Sequence, residues 1–337
     1  MFPWRASWLV WAALGGVVLC AQPPLIRVDV RLVNVIATVK NRAGNLVGTL
    51  GKDDFEIYDN GARQEIAFLQ RQTEQALSIA LLVDTSGSTA KEIGYEIDSA
   101  KRFLRALLAE GNPNDAVALY DFSYDVNEHP FTRNYTALEA TLKRLERDLK
   151  ASHAELGTSL HDAIFYASHT LEQREGRKVI IVVTDGGDTT SRHDVQQALK
   201  AAQLADAVIY PVVVMPITNE AGRNTGGEHA LVFMAQGTGG RSFLPSNGAE
   251  LDRTFSDIIS ELRTQYVLGF YPRNVPLKRD PFHTLDVKAK SPELRVSARN
   301  GYYGDAEGGA GTPGARVSLD PERKPAVPEK KKNRQEN

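Results

Sequence analysis

The chain has 337 residues, a formal charge of −2 and 42% hydrophobic side chains. That length accommodates one sizeable core with a smaller module beside it, and so near-neutral a balance excludes general electrostatic capture of nucleic acid or an anionic membrane. The single cysteine, Cys20, excludes a disulfide-stapled framework.

Residues 1–21 place one positive charge, Arg5, ahead of an apolar stretch from Trp8 to Leu19. This layout predicts a secretory signal peptide cleaved near Ala21, and the stretch is short for a membrane span. Nothing later reads as a transmembrane helix, so a secreted or periplasmic mature chain is expected. Cys20 admits a second reading, as a lipid-bearing cysteine, but Leu19 stands where a lipoprotein signal normally has a small residue. All three tryptophans, Trp4, Trp8 and Trp11, lie in the leader, so a processed chain is expected to lack tryptophan fluorescence.

Residues 24–75 read as a β module. Ile26, Val28, Val30 and Leu32 alternate, as do Val35, Ala37 and Val39. DDFEIYDNGARQEIAFL predicts a strand, an Asn-Gly turn and a second strand. From residue 76 to 263 the texture changes. The runs SIALLV, AVALYDF, KVIIVV and AVIYPVVV are continuously apolar, as strands covered on both faces are. Helical periods lie between and after them: Ile93 to Leu107, Leu138 to Leu149, Leu160 to Leu171 and Leu251 to Leu262. Residues 264–303 return to three strands, TQYVLGFYP, HTLDVKAK and ELRVSARNGYY. Residues 304–337 hold few large apolar side chains and are expected to be disordered, with Lys330 to Lys332 a solvated end. The predicted fold is α/β, a doubly wound and mostly parallel sheet, inserted in a β-sandwich built jointly from the N- and C-terminal segments.

In such a sheet, ligands sit beyond the carboxyl ends of the strands where strand order reverses. Asp84 follows the first strand of the α/β region, with Ser86 and Ser88 next in its loop. Thr158 precedes a helix, and Asp185 follows KVIIVVT. All five offer oxygen and none offers nitrogen or sulfur, which is the make-up of a hard-cation site. Two carboxylates balance a divalent charge. Mg²⁺ is the expected ion, with Mn²⁺ or Ca²⁺ as alternatives, and so few protein ligands leave a position that a partner's carboxylate can fill. Asp188 lies near enough to the same rim to support a ligating residue.

These residues resemble the metal-ion-dependent adhesion site of von Willebrand factor type A domains, D-x-S-x-S followed by a distal Thr and a distal Asp. The set Asp84, Ser86, Ser88, Thr158 and Asp185 is complete, and the resemblance covers about Ala76 to Leu262. LVNVIATVKNRAG, DDFEIYDNG and ARNGYY also resemble a secreted bacterial group labelled VWFA-related. The resemblance implies direct metal bonds from Ser86 and Ser88, a water-mediated one from Asp84, and roles for Thr158 and Asp185 that exchange as ligand binds. It implies a metal-dependent, adhesion-type module that binds a protein partner through a Glu or Asp side chain, not an enzyme. The loops Ser123 to Asn127 and Asn219 to Glu228 would set specificity.

Other readings of the same residues are weaker. Asp84, Ser86 and Ser88 could each merely cap a turn or helix. Asp84-Thr85-Ser86-Gly87 also spells an aspartic-protease loop, but that chemistry needs a second such carboxylate and an all-β fold. His153, His161, His169 and His193 show no metal-ligand pair on one helix face. An envelope scaffold with a structural metal is the remaining alternative.

Overall fold

A computed structural model describes residues 32–71, 75–87, 93–151, 157–214, 225–276 and 281–304. The expected leader with Cys20, the alternating Ile26, Val28 and Val30, the tail from residue 305, and Ser88 lie outside the described residues. No helix among the described residues is long and apolar enough to cross a membrane.

The N-terminal strands are β1 (Val33–Asn41), β2 (Phe55–Asp59), β3 (Ala62–Gln64) and β4 (Ile66–Arg71). The α/β region follows as β5 (Leu77–Asp84), α1 (Ile93–Glu110), β6 (Ala116–Phe122), β7 (Val126–Thr132), α2 (Tyr135–Ala151), α3 (Leu160–Glu172), β8 (Arg177–Thr184), α4 (Val195–Leu204), β9 (Ala207–Val213), α5 (Thr225–Thr238) and α6 (Gly248–Thr264). The last strands are β10 (Tyr266–Phe270), β11 (Phe282–Ala289), β12 (Leu294–Ala298) and β13 (Gly301–Tyr303).

The central sheet has the order β7-β6-β5-β8-β9, parallel except at β7. Alternate residues of β5 serve opposite faces. Ile79, Leu81 and Val83 pack with α1, α2 and α6, while Ala80 and Leu82 pack with α3, α4 and α5. Two covered faces explain the continuous apolar run, which has no polar side to show. The chain leaves β5 toward β6 and later resumes on its other side at β8, so strand order reverses between β5 and β8.

The flanking strands form two antiparallel four-stranded sheets, β12-β1-β10-β4 and β13-β11-β2-β3. Each contains strands from both ends of the chain: Val35 pairs with Leu268, and Ile57 with Val287. Their inner faces share one core that includes Val35, Ile57, Leu268, Phe270 and Leu285. Neither terminal segment has enough strands for this core alone. Buried Glu261 on α6 bonds Lys40 of β1 and Arg241, tying the sandwich to the α/β unit.

Several elements differ from the sequence expectation. The Asn-Gly turn is present, with Asn60 and Gly61 at φ +46° and +83°, as a type I′ hairpin requires. The strand after it is broken, however: β3 stays with β2 while β4 pairs with β10 in the other sheet. ELRVSARNGYY divides in the same way into β12 and β13. The segment Ser123 to Asn127 is not all loop, because β7 begins at Val126; this polar edge strand, with Pro130 in it, lacks an apolar period. Of Asn219 to Glu228, residues 219–224 lie outside the described residues and the last four open α5.

Asp59, fully buried at the end of β2, accepts a hydrogen bond from Tyr302 Oη at 2.7 Å and pairs with His283 Nδ1 at 2.9 Å. Asp59→Ala is expected to leave these groups unsatisfied and remove roughly 2–3 kcal/mol of stability. Urea unfolding followed by far-ultraviolet circular dichroism would measure it.

Candidate metal centre at the carboxyl edge of the sheet

The carboxyl ends of β5 and β8 lie side by side, with Val83 in register with Val183. Asp84 is therefore opposite Thr184, and both are fully buried. Asp84 Oδ2 accepts the Thr184 hydroxyl at 2.6 Å, and Oδ1 accepts the Ser86 backbone N–H at 2.9 Å. The Ser86 side chain, itself buried, also bonds Asp84. Thr85 anchors the loop laterally, donating its N–H and its hydroxyl to the Phe122 carbonyl at the end of β6 at 2.8 and 3.1 Å.

Asp185 comes next after β8, and its Oδ1 accepts the Gly187 N–H at 3.0 Å. Thr184 Oγ1 accepts the Gly186 N–H at 3.0 Å, which fixes the hydroxyl that supports Asp84. Burial pushes the Asp84 carboxyl up to about 6; bonds from Ser86 and Thr184 oppose this, and the negative charge of Asp185 adds to it. A carboxylate raised by burial, with a second acid close by, gains from a cation bound beside it, so these residues fit a divalent metal on chemical grounds.

Thr158 is buried just ahead of α3. Its N–H donates to Thr189 Oγ1 at 2.9 Å, and its carbonyl accepts the N–H of Thr189 and Thr190 at 2.8 and 3.2 Å. Neighbouring Ser159 donates its N–H to the Ser123 carbonyl and its hydroxyl to the Tyr124 carbonyl, each at 2.7 Å. The Thr158 segment is thus stitched between the loops that leave β6 and β8. Asp84, Ser86, Thr158 and Asp185 occupy one rim.

Among the described residues, Asp188 bonds α3 and its own loop rather than a predicted ligand. Its Oδ1 accepts the His161 N–H at 3.1 Å and the Ser191 hydroxyl at 2.5 Å. Asp162, within α3, accepts the N–H groups of Arg192 and His193 and pairs with the His193 ring. Burial pushes Asp162 upward, yet these bonds outweigh it and hold the carboxyl below its ordinary value. Both carboxylates fasten the 188–193 loop to α3. Among the described residues, no three His, Cys, Asp or Glu side chains gather as a metal-holding group; the oxygen donors of this rim are hydroxyls beside two carboxylates.

One residue of the rim escaped sequence reasoning: Thr184, whose hydroxyl bond to Asp84 follows from the pairing of β5 with β8. Tyr124, 59% exposed, stands beside Ser159 on the Ser123 to Asn127 loop that the sequence assigns to specificity.

Residues 78–256, more than half of the chain, match the von Willebrand factor type A domain family. No curated protein matches the chain significantly. Among solved structures, BatB from Bacteroides thetaiotaomicron is 22% identical with a TM-score of 0.44, covering 56% of this chain and 98% of that one. The vWF domain of the type V pili tip protein Mfa5 from Porphyromonas gingivalis is 14% identical with a TM-score of 0.43, covering 56% and 95%. The pilus adhesin SpaC from Lactobacillus rhamnosus GG is 11% identical with a TM-score of 0.45, covering 75% and 48%. At TM-scores below 0.5 these likenesses carry no functional argument.

Proposed function

Because the chain belongs to the von Willebrand factor type A domain family, we propose that it is a secreted or periplasmic binding module whose divalent cation accepts a carboxylate from a protein partner. In this reading residues 76–263 form the binding domain, and residues 24–75 with 264–303 form the sandwich that carries it. Asp84, Ser86, Ser88, Thr158 and Asp185 hold the ion, with Mg²⁺ the best match to an oxygen-only set and Mn²⁺ or Ca²⁺ as substitutes. The ion supplies Lewis acidity toward the partner's Glu or Asp. The chain's own residues position it: Thr184 and Ser86 orient the Asp84 carboxylate, and the bonds around Thr158 hold the third loop beside it.

The observation that carries this reading is the buried Asp84 carboxylate, set beside Asp185 at the reversal point of the sheet and surrounded by hydroxyl donors. Titration of Mn²⁺ into the protein, followed by electron paramagnetic resonance, tests it. One saturable site competed by Mg²⁺ is expected; absence of saturable binding would remove the metal and, with it, this function.

Tyr124 is an exposed aromatic on the loop that holds Ser159, next to Thr158, and buried aromatic anchors dominate many interfaces. Once a partner is isolated by metal-dependent capture, Tyr124→Ala is expected to weaken its binding by roughly tenfold or more in surface plasmon resonance. Mn²⁺ affinity should be unchanged. Equal partner affinity in both proteins would place the contact surface elsewhere.

A further inference from the structure

The helix that follows Thr158 and the loop that follows Asp185 divide their hydrogen bonds in an unusual way. Ser159 is the N-cap residue of α3, yet its side chain caps nothing. A serine at that position ordinarily accepts the N–H of the second or third helical residue. Here Asp188 Oδ1 takes the His161 N–H and Ser191 Oγ takes the Asp162 N–H, each at 3.1 Å. Capping has passed to the loop leaving β8, and the Ser159 hydroxyl is released for another use.

That use is to join loops. Ser159 is 2% exposed, and its hydroxyl donates to the Tyr124 carbonyl at 2.7 Å. Thr190 Oγ1 lies 2.8 Å from the same oxygen. A serine hydroxyl has one proton, so Thr190 is the donor in that pair. Thr190 also gives its N–H to the Thr158 carbonyl at 3.2 Å. A chain of hydroxyls therefore runs from the loop leaving β8, through the residue beside Thr158, to the loop leaving β6. Packing closes the same corner. A Cβ at Gly157 would stand 2.8 Å from Thr190 Cγ2 and 3.2 Å from Tyr124 Cδ2.

We propose that Ser159 and Thr190 are positioning residues of the metal centre, their paired hydroxyls setting where the Thr158 ligand stands relative to Asp84 and Asp185. The inference rests on the metal-binding reading given above. Thr189 also bonds Thr158, its Oγ1 accepting the Thr158 N–H at 2.9 Å, but Thr189 is exposed and water can take its place. The Ser159 hydroxyl is buried, so its bonds have no such substitute.

Mn²⁺ titration of the full chain and of hydroxyl-deleting variants, followed by electron paramagnetic resonance, tests it. Thr190→Val keeps the methyl beside Gly157 and removes the hydroxyl; it should weaken Mn²⁺ binding by about tenfold or more, as loss of a group that orients a ligand does. Thr190→Ser keeps the hydroxyl and should bind Mn²⁺ as wild type does. Ser159→Ala should match Thr190→Val, and the double variant should lose no more than either alone, because each breaks the same chain. Urea unfolding of the metal-free proteins supplies the second readout. A lower midpoint for Thr190→Val with wild-type Mn²⁺ affinity would make the hydroxyl merely structural and overturns the proposal. So does Thr190→Ser binding as weakly as Thr190→Val, which assigns the effect to the methyl, and so do losses that multiply in the double variant. A wild type without a saturable Mn²⁺ site overturns the metal-binding reading itself and this inference with it.

Discussion

Asp84→Ala is expected to weaken Mn²⁺ binding by at least about a hundredfold while leaving the metal-free protein as stable as wild type, or more so. The two halves of this expectation come from one fact. Burial raises the Asp84 carboxyl from its ordinary value to about 6. A carboxylate whose folded pKa exceeds its unfolded pKa is ionised at a cost: stability falls as pH rises from about 4 through about 6, and above 6 the whole penalty is present. A rise of that size corresponds to about 3 kcal/mol, an upper value because removing the side chain also leaves a small void and frees the Thr184 hydroxyl. A residue that merely capped the following turn would behave in the opposite way, since its loss would lower stability with or without metal. Thermal unfolding at pH 7 with and without excess Mn²⁺ separates these cases. Wild type should gain stability with metal, as mass action requires, and Asp84→Ala should not. Thr184→Val, which keeps the shape but removes the hydroxyl that supports Asp84, should give an intermediate loss of about ten- to a hundredfold in affinity. Unchanged Mn²⁺ affinity in Asp84→Ala would leave the donor set without its metal and favour a scaffold reading.

The parts of this architecture that announce themselves in the sequence are those governed by a single local rule. β5, β6, β8 and β9 are legible because strands covered on both faces must be apolar throughout, and α1, α2, α3 and α6 because each buries one face. That both terminal segments share one sandwich follows from their strand counts and from the closeness of an inserted domain's ends; which strands pair, β1 with β10 and β2 with β11, does not. What stays hidden depends on neighbours far along the chain. α5 buries Leu231, Met234 and Ala235 but contains Gly226, Gly227 and Gly237, so its period is weak. The breaks at Glu65 and at Arg299–Asn300 move strands between sheets with no Gly or Pro inside the break itself. At the candidate site, the oxygen donors and their spacing are read from the sequence, whereas the Thr184 hydroxyl bond to Asp84 depends on the register of β5 against β8.

The turn that ends α5 makes the largest structural prediction. Gly239 has a φ of +86°, and a Cβ there would lie 2.7 Å from the Arg299 backbone nitrogen and 2.9 Å from the Ala298 carbonyl carbon. At Gly240 a Cβ would run into the Ile209 carbonyl oxygen and lie 3.0 Å from its carbon. These neighbours are backbone of β9 and of the β12–β13 link, so no side chain can swing aside. The turn is also fixed from within: Thr238 Oγ1 accepts the Ile209 N–H at 3.0 Å, and the Gly240 N–H donates to the Ala235 carbonyl at 2.9 Å. Beyond it, Phe243 exchanges backbone hydrogen bonds with the end of β9, at 2.8 Å to the Val213 N–H and 2.9 Å to the Pro211 carbonyl. Gly240→Ala must therefore part the turn from β9, and Gly239→Ala must part it from the sandwich while also holding a left-handed backbone. Each is expected to remove about 3 kcal/mol or more, overpacking accounting for most of it and the left-handed conformation adding ~1–2 kcal/mol at Gly239. Gly44 supplies the control, with a φ of +83° and nothing within 4 Å of the point where a Cβ would stand; Gly44→Ala should lose only the conformational share, ~1 kcal/mol. Urea midpoints of the three variants decide the matter. If Gly240→Ala were no worse than Gly44→Ala, close backbone contact could not be what fastens α5 between β9 and the sandwich.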